Sequence, residues 1–307
     1  RRKMVVYVVY KRPMLITHKT TTCSKATLFW VLSVIVSTLT PLVVVYRSAG
    51  LWIKEADYRE QADVRFKHQV LIITDTSSGS IVWSTNSAFN SLMENYLRIP
   101  IVKSHEVDEN SDGVYEGLHF TLTLPLLSSE LIYGTTLLLT FDYRLHHMCE
   151  VVLEGLGFLQ HSSGIPISAL YTTTDLQLHQ RHPLPYSGIH TLYNASVLPS
   201  SSASAKDWKL HNILSNYWER NLTTRFGNIY TSVQTGESDT FIINLNINYP
   251  EQKIHYIPGF WFIIKWAWVQ YLSILVVLVY AVSLIKDWVF QNQIVSTWVD
   301  FPKNKLF

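Results

Sequence analysis

The chain has 307 residues, with 25 Lys and Arg against 23 Asp and Glu, for a net charge of +2. So small a charge gives no electrostatic case for binding nucleic acid. Charged residues make up 16% of the chain, against ~25% in soluble domains, which favours a membrane protein; with Cys23 and Cys149 the only cysteines, a disulfide framework is excluded.

Residues 1–25 carry Arg1, Arg2, Lys3, Lys11, Arg12, Lys19 and Lys25 and no acidic residue. From Ala26 to Tyr46 the chain is uncharged, long enough to cross a bilayer, with a kink expected at Pro41. Cations before this segment and mixed charge after it (RSAGLWIKEADYRE) place residues 1–25 in the cytosol and make 26–46 a transmembrane helix. A cleaved signal peptide competes with this reading. Against it stand the length of the apolar run, the length of the basic segment and the lack of an A-x-A exit. Cys23, just ahead of the span, is a candidate for palmitoylation. Ser33 and Ser37 share one helix face and suit helix-to-helix contact, unless their hydroxyls only bond their own backbone.

Residues 47–257 are expected outside the membrane and read as β-rich, a β-sandwich-like domain with one short helix. Period-two alternation marks strands at Leu118–Leu124, Leu137–Leu145 and Phe241–Ile247. Weaker candidates lie at Val64–Thr74, Ser80–Ser84, Val151–Leu159 and Leu170–Leu178, and Ser163-Gly164 is among the turn signals. Leu210, Ile213, Leu214, Tyr217 and Trp218 recur at helical spacing within 207–220, and PSSSASA at 199–205 reads as a loop. Asn194-Ala195-Ser196 and Asn221-Leu222-Thr223 are N-glycosylation sequons, and both fall in this outer segment. Trp52, Tyr58 and Phe66 suit packing near the first span better than a partner interface.

One local pattern has metal-ligand spacing. Asp108, Asn110, Asp112 and Glu116 place oxygens at positions 1, 3, 5 and 9 of a loop, Gly113 supplies the turn, and the Val114 carbonyl would take position 7. Position 12 is His119 rather than a bidentate Glu, so a calcium-stapled β-turn fits better than an EF-hand. A solvated hairpin loop is the competing reading. His146, His147 and Cys149 are soft ligands, but adjacent strand residues point to opposite faces, which disfavours zinc. Asp142, Arg144 and Glu150 read as a solvated strand face. No G-x-S-x-G, H-E-x-x-H or glycine-rich phosphate loop occurs, so no enzyme class is indicated and no cofactor is required.

Residues 258–285 form an interfacial and transmembrane helix. Trp266 to Ile285 is free of charge and spans about 30 Å as a helix, the thickness of the hydrocarbon core. Trp261, Trp266 and Trp268 crowd one end and Trp288 the other, where indoles favour the headgroup layer. Neither span carries a charge at its centre, which argues against a proton relay or coupled transport. Residues 286–307 then form a cytosolic tail.

Taken together, these motifs resemble the transmembrane protein 231 family. The resemblance is carried by MVVYVVYKRP (4–13), CSKATLF (23–29), LWIKEADYREQADVRFKHQV (51–70), WST (83–85) and LHFTLTLPL (118–126). It continues through LLTFDYRLHHM (138–148), ERNLTT (219–224), PGFWFIIKWAWVQYLSIL (258–275) and VFQNQ (289–293). Met4 matches the family's initiator position, and the tail after Gln293 departs from the pattern. The resemblance implies a non-enzymatic component of the ciliary transition-zone membrane. In that family setting it works in a Meckel-syndrome-type complex with tectonic proteins, B-nine-domain proteins and other transition-zone membrane proteins, and contributes to a diffusion barrier and to ciliogenesis. Two readings of other classes stay open: a subunit of a two-span ligand-gated channel, against which the single outer cysteine speaks, and a membrane-tethered extracellular hydrolase.

Overall fold

The computed structural model describes residues 16–22, 24–48, 52–127, 130–199 and 206–300. In chain order the first elements are β1 (Thr17–Lys19), α1 (Lys25–Arg47), β2 (Ala56–Glu60), β3 (Asp63–Thr76), β4 (Gly79–Ser84) and α2 (Ser87–Leu92). A 3₁₀ turn at Glu94–Tyr96 leads to β5 (Ile101–Val107), β6 (Gly117–Pro125), β7 (Ile132–Leu145) and β8 (Glu150–Gln180). There follow β9 (Leu184–Pro185), β10 (Ile189–His190), α3 (Leu210–Trp218), β11 (Leu222–Thr235) and β12 (Thr240–Asn248). The last are β13 (Gln252–Ile257), α4 (Phe260–Gln291) and β14 (Trp298–Asp300). Two units result: the two long helices with β1 and β14, and the segment Lys54–Gly259.

In the first unit α1 opens on Ser24, whose hydroxyl accepts from the Thr27 N–H at 3.3 Å. The helix continues through Pro41 to Arg47. Its buried residues, Ala26, Ser33, Ser37, Pro41 and Val45, recur every four residues from Ser33 onward and form the face against α4. Both sequence readings of the serines hold: they lie in the helix contact, and their hydroxyls bond the Trp30 and Val34 carbonyls one turn back. Large apolar side chains cover the outside, among them Val276 and Val277 at 66% exposure. Such a surface is stable in lipid and not in water. Strands β1 and β14 pair antiparallel, Thr17 opposite Asp300, with Lys19 bound to Asp300 at 2.6 Å. The segment before α1 and the segment after α4 therefore meet at one end of an antiparallel helix pair.

The second unit is built around β8. The N-terminal half of β8 pairs with β7, which pairs with β3 and then β4. Its C-terminal half pairs with β12 on one side, leading to β6 and β5, and with β11 on the other. The Ser163-Gly164 turn signal is thus overturned: one strand runs from Glu150 to Gln180, because each half has its own pairing partners. The sheet folds onto itself about this strand. Phe66 of β3 meets Phe120 of β6 at 5.9 Å between ring centroids, although three strands, β7, β8 and β12, separate them in the sheet order.

That geometry explains the sequence patterns. Strands β6 and β12 have one face in the core and one in solvent, so their apolar residues alternate cleanly. Strand β7 is buried on both faces. Leu137, Leu139 and Phe141 enter the inter-sheet core, while Leu138 turns to a second core with Leu71, Val82, Leu156, Trp208, Ile213 and Tyr217 under α2 and α3. A continuous LLL run follows. Strands β2, β13 and β9 form a small separate sheet, where Tyr58 packs edge-on against Tyr256 at 5.5 Å. Of the three aromatics expected to pack near the first span, Phe66 lies instead in the core of the β domain and Tyr58 packs against that core, whereas Trp52 is exposed.

Candidate functional site

The loop 108–116 joins β5 to β6 in a hairpin, with Ser111 and Gly113 at positive φ (57° and 87°). The turn is held by its own side chains. Asp108 Oδ2 accepts from the Gly113 N–H (3.1 Å), Asp112 Oδ1 from the Val114 N–H (2.8 Å) and Glu116 Oε2 from the Glu109 N–H (2.8 Å). Asn110 Oδ1 accepts from the Asp112 N–H (2.9 Å), and its amide donates to Asp112 Oδ2 (3.0 Å). Asp108, Asp112 and Glu116 each bring an oxygen within 4.8 Å of the others. Two sheltered oxygens, Asp108 Oδ1 and Glu116 Oε1, have no hydrogen-bond donor. Of the five residues singled out by spacing, three carboxylates therefore converge, while Asn110 and the Val114 N–H serve the turn. The donor set has the hard-oxygen chemistry that calcium takes.

The two sequons lie on one patch. Arg220 donates to the carbonyls of Tyr193 (3.3 Å) and Ala195 (3.2 Å), and the Asn221 N–H donates to Tyr193 Oη (3.2 Å). Asn194 is exposed in a turn closed by its N–H to the Thr191 carbonyl (3.0 Å). Asn221 is half-buried at the start of β11.

Beside this patch lies a charged pair that the sequence reading missed. Glu154 of β8 is 1% exposed, and Lys67 reaches it in an ion pair. The Val197 N–H (2.7 Å) and the Ser196 hydroxyl (3.4 Å) donate to Glu154 Oε1, so the carboxylate also fixes the end of the Asn194-Ala195-Ser196 sequon. Lys67 comes within reach because β3 breaks register with β7 between Phe66 and Val70, with His68 at φ 57°. A lone Glu inside the apolar run VVLEGLGF was the available signal.

Near Cys149, His146 and His147 follow the end of β7. Their backbone N–H groups donate to Glu60 Oε1 (2.7 and 3.0 Å), so the histidines bring their backbone rather than their rings to this carboxylate. Burial pushes the Cys149 thiol up, and burial followed by the Glu60 charge pushes up the Tyr58 and Tyr143 phenols. All three are protonated at neutral pH and act as packing groups. Cys23 lies outside the described residues.

The family profile for Transmembrane protein 231 matches residues 4–299. The chain is 43% identical to Transmembrane protein 231 of Bos taurus over 300 residues, 96% of this chain and 95% of that one. It is 43% identical to the Homo sapiens protein over 299 residues (96% and 95%), and 42% identical to that of Xenopus tropicalis over 298 (96% of each). With near-complete coverage on both sides, the two membrane helices and the β-rich domain between them are those of one family: the chain belongs to the transmembrane protein 231 family.

Proposed function

We propose that the protein is a non-enzymatic structural component of the ciliary transition-zone membrane. It works there with tectonic proteins, B-nine-domain proteins and other transition-zone membrane proteins, contributing to the diffusion barrier that sets ciliary membrane composition and to ciliogenesis. The observation that carries this reading is family membership over 96% of the chain. Both termini lie in the cytosol and residues 47–257 outside. The cations ahead of α1 support that topology, as does the β1–β14 pairing that holds both flanking segments at one end of the helices. Asn194 and Asn221 then carry glycans, and Cys23 a lipid chain. Calcium is an optional staple of the 108–116 hairpin, needed for no reaction. A calcium titration that leaves the melting temperature of the purified full-length protein unchanged removes it.

An endogenously tagged copy, imaged against axoneme and basal-body markers, is expected as a ring confined to the ciliary base. A uniform plasma-membrane signal overturns the reading and brings forward the ligand-gated channel, for which evoked current in a bilayer is the check.

A further inference from the structure

Several strands of the domain have one side free of backbone pairing, and most of those among the described residues are guarded. Strand β5 carries Lys103, His105 and Glu106, and β2 carries Asp57, Arg59 and Glu60. Strands β9 and β10 have two residues each. Strand β4 is covered where Leu97 bridges to Val82. Short length, charge and cover are the ordinary protections of a sheet edge. From Asn228 onward strand β11 has neither charge nor cover. It pairs only with β8, and from Asn228 to Thr235 every residue except the half-buried Val233 is exposed. No charge and no proline occurs between Arg225 and Glu237. Irregularities flank a regular stretch, Tyr230–Gln234, which stays in register with Thr173–Ala169 of β8. Its outer N–H and C=O groups form a template for another strand.

We propose that this edge pairs antiparallel with the same edge of a second copy, centred on Ser232. In that register Tyr230 faces Gln234, Thr231 faces Val233 and Ser232 faces itself. Every pair is uncharged, and the Thr–Val pair suits a pleated surface. The contact is isologous, as a two-fold axis requires, and it joins the two β11–β8–β12–β6–β5 sheets into one. Neutrality at the centre is what self-pairing needs, since any charge at Ser232 would meet its own copy. Two chains held in one membrane are at high effective concentration, so a short ladder suffices. The proposal goes beyond the ciliary reading and does not depend on it.

The test uses the full-length chain in membranes. Opposed residues of an antiparallel pair have Cα atoms about 4.5 or 5.5 Å apart, both within disulfide reach. On mild oxidation Ser232→Cys is expected to give a band at twice the chain mass. The unmodified chain, with Cys23 and Cys149 as controls, and Lys103→Cys on the β5 edge are expected to give none. In single-molecule bleaching, Ser232→Lys sets two ammonium groups opposite each other and lowers the two-step fraction about fivefold, while Ser232→Thr leaves it unchanged. Ser232 is exposed, so neither change removes a core contact. One-step bleaching of the unmodified protein, or a Ser232→Cys adduct with a different polypeptide in place of a second copy, overturns the proposal.

Discussion

The helix pair and the β domain use the same apolar residue types in opposite ways. Val276 and Val277 of α4 are 66% exposed, whereas Leu137, Leu138 and Leu139 of β7 are 0%. In lipid there is no hydrophobic gain from bringing helices together, and α1 buries small side chains, Ser33 and Ser37 among them, where it meets α4. In water the domain is driven by burial and closes around its largest, Phe120, Phe141 and Tyr143. The surrounding solvent decides which face of an apolar element becomes the interface.

The comparison breaks most sharply where the domain buries charge. Lys67→Ala leaves Glu154 without its cation but with the Val197 N–H and the Ser196 hydroxyl. A loss of about 3 kcal/mol is expected, the low end for breaking a buried pair because two donors remain. Denaturant unfolding of the detergent-solubilised protein reads it, and Lys67→Met together with Glu154→Gln, which removes both charges and keeps an acceptor for the Val197 N–H, restores most of the loss. If the single and double variants unfold alike, the pair is not what holds this seam.

Within the helix pair the corresponding test is size. Ser37→Leu overfills the α1–α4 contact and is expected to cost about 1–3 kcal/mol of helix association. Tyr271 Oη donates to the Thr38 carbonyl at 3.4 Å, so cross-linking between cysteines placed at Thr38 and Tyr271 reports the approach. It should fall several-fold with Ser37→Leu and stay unchanged with Val43→Leu, whose site is exposed. Equal loss from both substitutions would mean that the helices do not meet through the serine face.

The same contrast governs what could be read in the sequence. Strands β6 and β12 were legible because one face of each is dry and the other wet. Strand β11 was not: its second half is exposed on both faces and leaves no apolar alternation, and only the backbone of β8 sets its place. The 108–116 cluster was legible because its carboxylates lie within one turn of chain. Lys67 and Glu154 are 87 positions apart and meet only through a register break in β3, which no local pattern announces. The helices were the plainest elements, since lipid demands an uninterrupted apolar length.

The smallest expected effect concerns acid, and it sharpens the comparison because it belongs to the domain. Arg98 forks onto Glu130, Nη1 to Oε2 at 2.9 Å and Nη2 to Oε1 at 3.0 Å, and the Leu127 N–H adds a third donor at 2.9 Å. Burial opposes ionisation of this carboxyl, but the Leu127 N–H and the guanidinium outweigh it and hold its pKa below the ordinary carboxylate range. A carboxyl with a lower pKa folded than unfolded adds stability that is fully present above the unfolded value of about 4.3 and is lost as pH falls through the folded value. The melting temperature of the full-length protein is therefore expected to fall on acidification below about pH 4.3. In Glu130→Gln that fall is shallower and starts from a lower value at pH 7, while cross-linking of α1 to α4 is the same in both proteins. Because the fork ties the segment before β5 to the start of β7, superimposable acid curves for the two proteins would mean that this connection adds nothing to the stability of the sheet.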